Sequence, residues 1–250
     1  MRSTTGLAGF LVLWELIARL SVVDARFVPP PSLVLSRFVG LFGDAAFVAA
    51  VVSTVLSWMI ALAIAVAFAV LLGLAVGMVP VLRTVSIPIV ELVRPLPSVA
   101  LIPLVICLLG TDAQTKITLA AFAATWPTLM NTIYALGEVD PRLLETARCF
   151  RISRWRTISG VVLPSISPFV LTGVRLSASV ALIAIVGTEF LAGGGIGLGQ
   201  YAYMWGTNAG RMDIVLAATV FAGLFGGLVN AGFLAVRRRW LRWGPEGIGQ

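Results

Sequence analysis

The chain has 250 residues, of which 59% are apolar and only 12% charged, against about 25% charged in an ordinary soluble domain. No soluble core absorbs that much apolar surface, so composition excludes a water-soluble globular protein and predicts a single all-α, polytopic membrane domain over residues 1–250. The net charge of +7 comes from arginines at the edges of apolar runs, which fits anchoring to an anionic leaflet rather than nucleic-acid binding.

Six membrane spans are predicted, on the rule that a helix crosses the hydrocarbon in roughly 20 residues. The first apolar run, 6–23, contains Glu15 and Arg19, four apart with the acid N-terminal. That spacing pairs them along one helix face and lessens the cost of immersion. A secretory signal peptide is the rival reading, weakened by this internal pair and by the lack of a small-residue cleavage site. Residues 45–82 are free of charge for 38 positions and read as one long span with interfacial ends. Residues 95–111 are short for a span and are expected to extend back toward Arg83. Residues 117–137 and 214–236 read as single spans. The fifth span, 168–189, carries Arg175 near one end and Glu189 near the other. Small residues at Gly73, Gly77 and 223–227 mark places where helices approach closely.

Orientation follows from the cations. With the N-terminus inside, thirteen arginines fall on the inner side and five Lys or Arg residues on the outer, which places both termini in the cytoplasm. The tail 237–243, with four arginines and two tryptophans, reads as an interfacial anchor.

Several classes of chemistry are discounted. Histidine is absent and Lys116 is the only lysine, which removes the commonest general base and metal ligand. No catalytic, metal or cofactor site is expected in the chain. Cys107 and Cys149 do not make a disulfide framework. There is no phosphate-binding G-x-x-x-x-G-K-[ST] loop. The glycine-rich run 193–199 lacks the strand that a dinucleotide fingerprint needs. It reads as an extracytoplasmic turn, mobile enough to gate or to contact a binding protein. Glu189 at the outer interface reads as a solvated carboxylate or as part of a solute pathway. Arg94, beside Pro95 and Pro97, reads as a broken helix start lining an inner vestibule that favours anions.

The segment 138–164 is a basic insert between the fourth and fifth spans. Asp140 caps a helix that Pro141 starts. Leu143, Ala147 and Phe150 recur at helical spacing on one face, and Arg148, Arg151 and Arg154 line another. A turn is expected over 151–153, and Trp155 and Ile158 open a second apolar stripe leading back into the membrane. Two readings stand: a helix resting on the bilayer, or an element that docks on a soluble partner. Glu145, which an anionic surface repels, favours docking.

Here the sequence resembles a family. Glu145-Thr146-Ala147, then Arg151, Ile158 and Leu163-Pro164, is similar to the EAA loop of ABC importer permeases. Arg94-Pro-Leu-Pro97, Ile102-Pro-Leu104, Trp126 through Asn131, and the stretches 139–141, 172–175 and 197–199 resemble the nitrate, sulfonate and taurine branch. The resemblance implies a type I importer permease with about six transmembrane helices and a cytoplasmic coupling loop at 138–164. It implies a homodimer in a bacterial inner membrane, served by an extracytoplasmic solute-binding protein. Cytoplasmic ATPase subunits would hold the ATP and magnesium and drive alternating access. It assigns ATPase coupling to Glu145, Thr146, Ala147, Arg148, Phe150, Arg151, Trp155, Leu163 and Pro164. It offers Arg94, Pro95, Pro97, Asn131 and Glu189 as solute-pathway residues. The implied solute is a small organic anion or nitrate, with a vitamin or pyrimidine precursor as the alternative. Arg151 stands where the family carries glycine, and a non-glycine residue there costs roughly 1 kcal/mol if φ is positive. Either the turn is built differently or Arg151 makes a compensating contact with the partner. The rival classes are an ion-gradient transporter, disfavoured by charge-free mid-spans and no evident inverted repeat, and a membrane-bound scaffold or enzyme.

Overall fold

The computed structural model describes residues 2–20, 24, 26–193 and 195–240. In chain order the helices are α1 (Arg2–Arg19), α2 (Pro31–Leu41), α3 (Ala45–Met78), α4 (Pro80–Val93), α5 (Ile102–Leu109) and α6 (Ala113–Gly137). They continue with α7 (Pro141–Cys149), α8 (Arg154–Thr157), α9 (Leu163–Ala192), α10 (Leu198–Thr207) and α11 (Met212–Trp240). A 3-10 turn at Ser98–Leu101 precedes α5, and a π-helical turn at Ile158–Val162 precedes α9. No strand occurs among the described residues. Residues 21–23 of the first apolar run, Gly194, and 241–243 of the basic tail lie outside the described residues.

Among the described residues three helices are long and apolar enough to cross a bilayer: Ala45–Met78, Arg154–Ala192 and Met212–Arg239. The remaining predicted spans look different. The third is not one helix running back toward Arg83. Pro80–Val93 and Ser98–Leu109 meet at an 80° bend, because Pro95 and Pro97 remove the backbone donors that would continue the helix, and Pro97 is extended at ψ 116°. The second span likewise stops short of Leu82. Val79, ahead of Pro80, is extended at φ −112°, so Pro80 begins a new helix instead of continuing α3. The fourth, α6, is 25 residues long but rich in threonine. Its polar groups are turned inward, with Thr115, Lys116, Thr125, Thr128 and Thr132 all buried. In the first, α1, Glu15 and Arg19 pair as their spacing predicts, at 2.7 Å.

The centre of the fold is α3, α6 and α9, held at close range by small side chains. Ala61, Ala65 and Ala69 of α3, Ala120 and Ala124 of α6, and Ala178 and Ala181 of α9 are buried. At Gly73 a Cβ atom would lie 2.8 Å from Thr132, and at Gly173 2.9 Å from both Thr128 and Asn131. Without an apolar driving force in lipid, such contact and interhelical hydrogen bonds supply the attraction. Thr128 and Ser177 make one such bond at 2.8 Å. A second cluster gathers α2, α10, α11 and the start of α3 around Phe47, Tyr201 and Ala217. The Tyr201 hydroxyl donates to Asp44 at 2.8 Å. Burial, with that carboxylate beside it, pushes the hydroxyl well above the usual phenol range.

Candidate functional site

Chemistry concentrates at two opposite ends of the central helices. Ser53 and Met78 mark those ends on α3, about 38 Å apart at 1.5 Å per helical residue.

At the Met78 end, α7 begins where Asp140 accepts the Arg142 amide at 2.9 Å and Pro141 occupies the first helical position. The helix is fastened by Leu144 and Ala147, not by the stripe of Leu143, Ala147 and Phe150. Leu144 packs on a cluster of Ala135, Val139, Val162 and Ile166, and Ala147 is only 3% exposed. The apolar face is therefore rotated by one residue at its first position. Ala147 holds the helix in place rather than facing a partner. Leu143 is left exposed, with Phe150 76% and Trp155 82% exposed. Glu145, Thr146, Arg148 and Arg151 are exposed as well. Leu163 and Pro164 open α9, where the chain returns to the bundle.

The end of α7 bears on the first account of Arg151, a turn built differently. Its φ is +51°, the one positive value at a non-glycine position among the described residues. The Ile152 amide donates back to the Ala147 carbonyl and the Arg151 amide to the Arg148 carbonyl, both at 2.9 Å. This is a Schellman closure, whose left-handed residue is usually glycine. The turn has the glycine geometry with arginine built into it, at a cost of roughly 1 kcal/mol. Among the described residues no ion pair of the Arg151 side chain offsets this.

At the Ser53 end, Glu189 is neither solvated nor at a free surface. It is 2% exposed, and Lys116 Nζ lies 2.7 Å from its Oε1. Lys116 also donates to Ser53 Oγ at 3.0 Å and to the Ile196 carbonyl at 2.8 Å. Glu189 in turn accepts from Thr54 Oγ1 at 2.9 Å and from the Gly199 amide at 3.0 Å, while the Leu198 amide donates to Thr54 Oγ1 at 2.8 Å. One ion pair thus ties α3, α6 and α9 to the chain at 196–199. Glycine is required here by space. A Cβ on Gly197 would run into the Glu189 carboxylate, and one on Gly199 into the Val186 carbonyl. The glycine-rich stretch is pinned from Ile196 to Gly199, contrary to the mobile turn expected. Lys116 and Glu189 line a cavity of about 370 Å³ with Ser53, Asp112 and Thr188. Sequence reasoning missed Lys116. The signal was that the chain's only lysine falls one turn into a span.

The other pathway candidates do not converge. Arg94, Pro95 and Pro97 sit exposed at the 80° bend. Asn131 is half-buried, with its amide donated to the Pro127 carbonyl at 2.8 Å and its Cβ against Gly173. That is a helix-packing role.

This architecture is that of a multi-span membrane transport subunit. Residues 65–242 match the model of the binding-protein-dependent transport system inner membrane component family, and the chain belongs to that family of ABC importer permeases, in its nitrate, sulfonate and taurine branch. It is 30% identical to the taurine transport system permease protein TauC of Escherichia coli (strain K12) over 96% of this chain and 88% of that one. It is 27% identical over 94% of its length, and 85% of the relative's, to SsuC of Bacillus subtilis (strain 168), a permease protein named for aliphatic sulfonate transport. Among solved structures, a chain of an inward-facing MetNI methionine ABC transporter superposes with a TM-score of 0.67 at 19% identity, over 77% of this chain and 94% of that one. That likeness supports the fold: an all-α type I importer permease.

Proposed function

We propose that the chain forms the solute pathway of an ATP-driven importer as one of two identical copies. In this reading α7 seats in a groove on a cytoplasmic ATPase subunit, which holds the ATP and magnesium. An extracytoplasmic binding protein delivers the solute at the Ser53 end. Both termini and the segment 138–164 are cytoplasmic. ATP binding draws the two ATPases together, the α7 helices follow, and the span bundles pass from inward-open to outward-open. The partner must therefore bind the two permease states with different affinity. The relatives' names, which refer to taurine, aliphatic sulfonates and nitrate, support a small solute bearing an anionic group, and Arg94 at the bend is a cation suited to that group.

The observation that carries this reading is the division of labour on α7. Leu144 and Ala147 fasten the helix to the bundle, leaving Leu143, Glu145, Phe150 and Trp155 exposed together. A helix resting on lipid would turn its apolar face to the membrane and keep no acid among the anchors. Glu145→Arg with Phe150→Ala is expected to leave the protein in the membrane but abolish retention of the ATPase in detergent. Retention at the unsubstituted level, with normal stimulation of ATP hydrolysis, would sink the proposal.

A further inference from the structure

Beneath the 138–164 segment, between it and the ends of α3 and α6, lies a cavity of about 710 Å³. Its wall is of two kinds. Met78, Leu136, Val139, Ile152 and Val162 make it apolar, and Arg148 and Arg154 add two guanidinium groups. No ion pair recorded among the described residues involves either arginine. The acids nearest in sequence, Glu138, Asp140 and Glu145, do not line the cavity. Arg83 reaches the same region, its guanidinium 3.4 Å from where a Cβ on Gly137 would lie. The cavity thus carries unbalanced positive charge.

Its depth identifies the source of a balancing anion. The 34-residue α3 is about 51 Å long, well beyond the roughly 30 Å of hydrocarbon. Its last residues, Gly77 and Met78, border the cavity, at the end of the span, where a helix longer than the hydrocarbon reaches into the headgroups. A phosphate is matched in shape and charge by arginine forks. Basic pockets between helices at this level bind anionic headgroups.

We propose that this cavity is a binding site for an anionic phospholipid. Its phosphate is held by Arg148 and Arg154, and its glycerol and first acyl carbons lie on the Met78, Leu136, Val139 and Ile152 wall. A free phosphate ion would have no use for that wall. The strained turn at Arg151 serves the site directly, because the Schellman closure returns Ile152 to Ala147 and Arg148, Ile152 and Arg154 all line the cavity. The lipid then fills the space between α7 and the bundle. The inference concerns the inner side of the loop, so it stands or falls apart from ATPase docking on the outer side.

The test uses the full-length permease in nanodiscs of equal parts phosphatidylglycerol and phosphatidylcholine, with retained lipid measured after detergent washing. Phosphatidylglycerol is expected to be retained preferentially. Arg148→Gln with Arg154→Gln should cut that preference by about thirtyfold, at the typical contribution of a cation near an anionic headgroup. Arg142→Gln with Arg156→Gln, on the same loop but outside the cavity, should leave the preference in place. Arg148→Lys with Arg154→Lys, which keeps the charge, covers the case in which the glutamine variant does not fold. It should retain phosphatidylglycerol over phosphatidylcholine. Equal retention of the two lipids by the unsubstituted protein, or equal loss in both glutamine variants, overturns the proposal. Displacement of the lipid by millimolar inorganic phosphate would assign the site to a soluble anion and overturn it too.

Discussion

The two ends of the central helices treat charge in opposite ways. At the Ser53 end, Lys116 and Glu189 are buried, paired and saturated with hydrogen bonds from three helices and the 196–199 backbone. At the Met78 end, Arg142, Arg148, Arg151, Arg154 and Arg156 are exposed, beside exposed Phe150 and Trp155. Desolvating an ion pair is costly and is tolerated where the surrounding structure must adopt one arrangement. Cations in water cost nothing, but large aromatic rings left in the open beside them fit a surface that another molecule covers. The first end is locked within the chain, and the second is the one that the proposed function gives to a partner.

Substitutions that invert this contrast should give the largest effects. Glu189→Leu leaves the Lys116 ammonium buried without its counter-ion and is expected to destabilise by about 3–5 kcal/mol. Adding Lys116→Met should recover most of that loss. Thermal unfolding in detergent reads both, and an unchanged midpoint for Glu189→Leu alone would show that the pair contributes nothing. A smaller effect is expected from Gly199→Ala, where the new methyl meets the Val186 carbonyl and the Phe190 amide. The overpacking should cost roughly 1–3 kcal/mol, whereas Gly160→Ala, with open space around it, should change stability by less than ~0.5 kcal/mol. The smallest effect belongs to the exposed end. Arg151→Gly relieves the positive φ and should stabilise by up to about 1 kcal/mol. Arg151→Val should move the midpoint the other way. If glycine destabilises instead, the arginine side chain has a contact that compensates for its backbone.

The same contrast explains what could be read before the structure was seen. The helical membrane class, the Glu15–Arg19 pair and the Asp140 cap all rest on local spacing, which a sequence displays directly. The Arg151 turn was legible as a question, because an arginine at a glycine position is visible and its φ is not. The face of α7 was misjudged because Leu143 and Leu144 are adjacent. Only the positions of Ala135, Val139 and Ile166, supplied by α6, the residues after it and α9, choose between them. The Lys116–Glu189 pair was hidden for a similar reason. Its members are 73 residues apart, and no local pattern links the foot of one span to the head of another. The bend at 94–97 was announced by its prolines, although its angle was not.

The glycine and alanine seams of α3, α6 and α9 limit how the molecule moves. Where Gly73 meets Thr132 and Gly173 meets Thr128 there is no room for a gradual slide, since a small shift brings backbone against side chain. These three helices must travel as one stave, tilting against their surroundings rather than shearing among themselves. In the proposed transport cycle, a passage for solute then opens along the outside of that stave and closes again by its rotation.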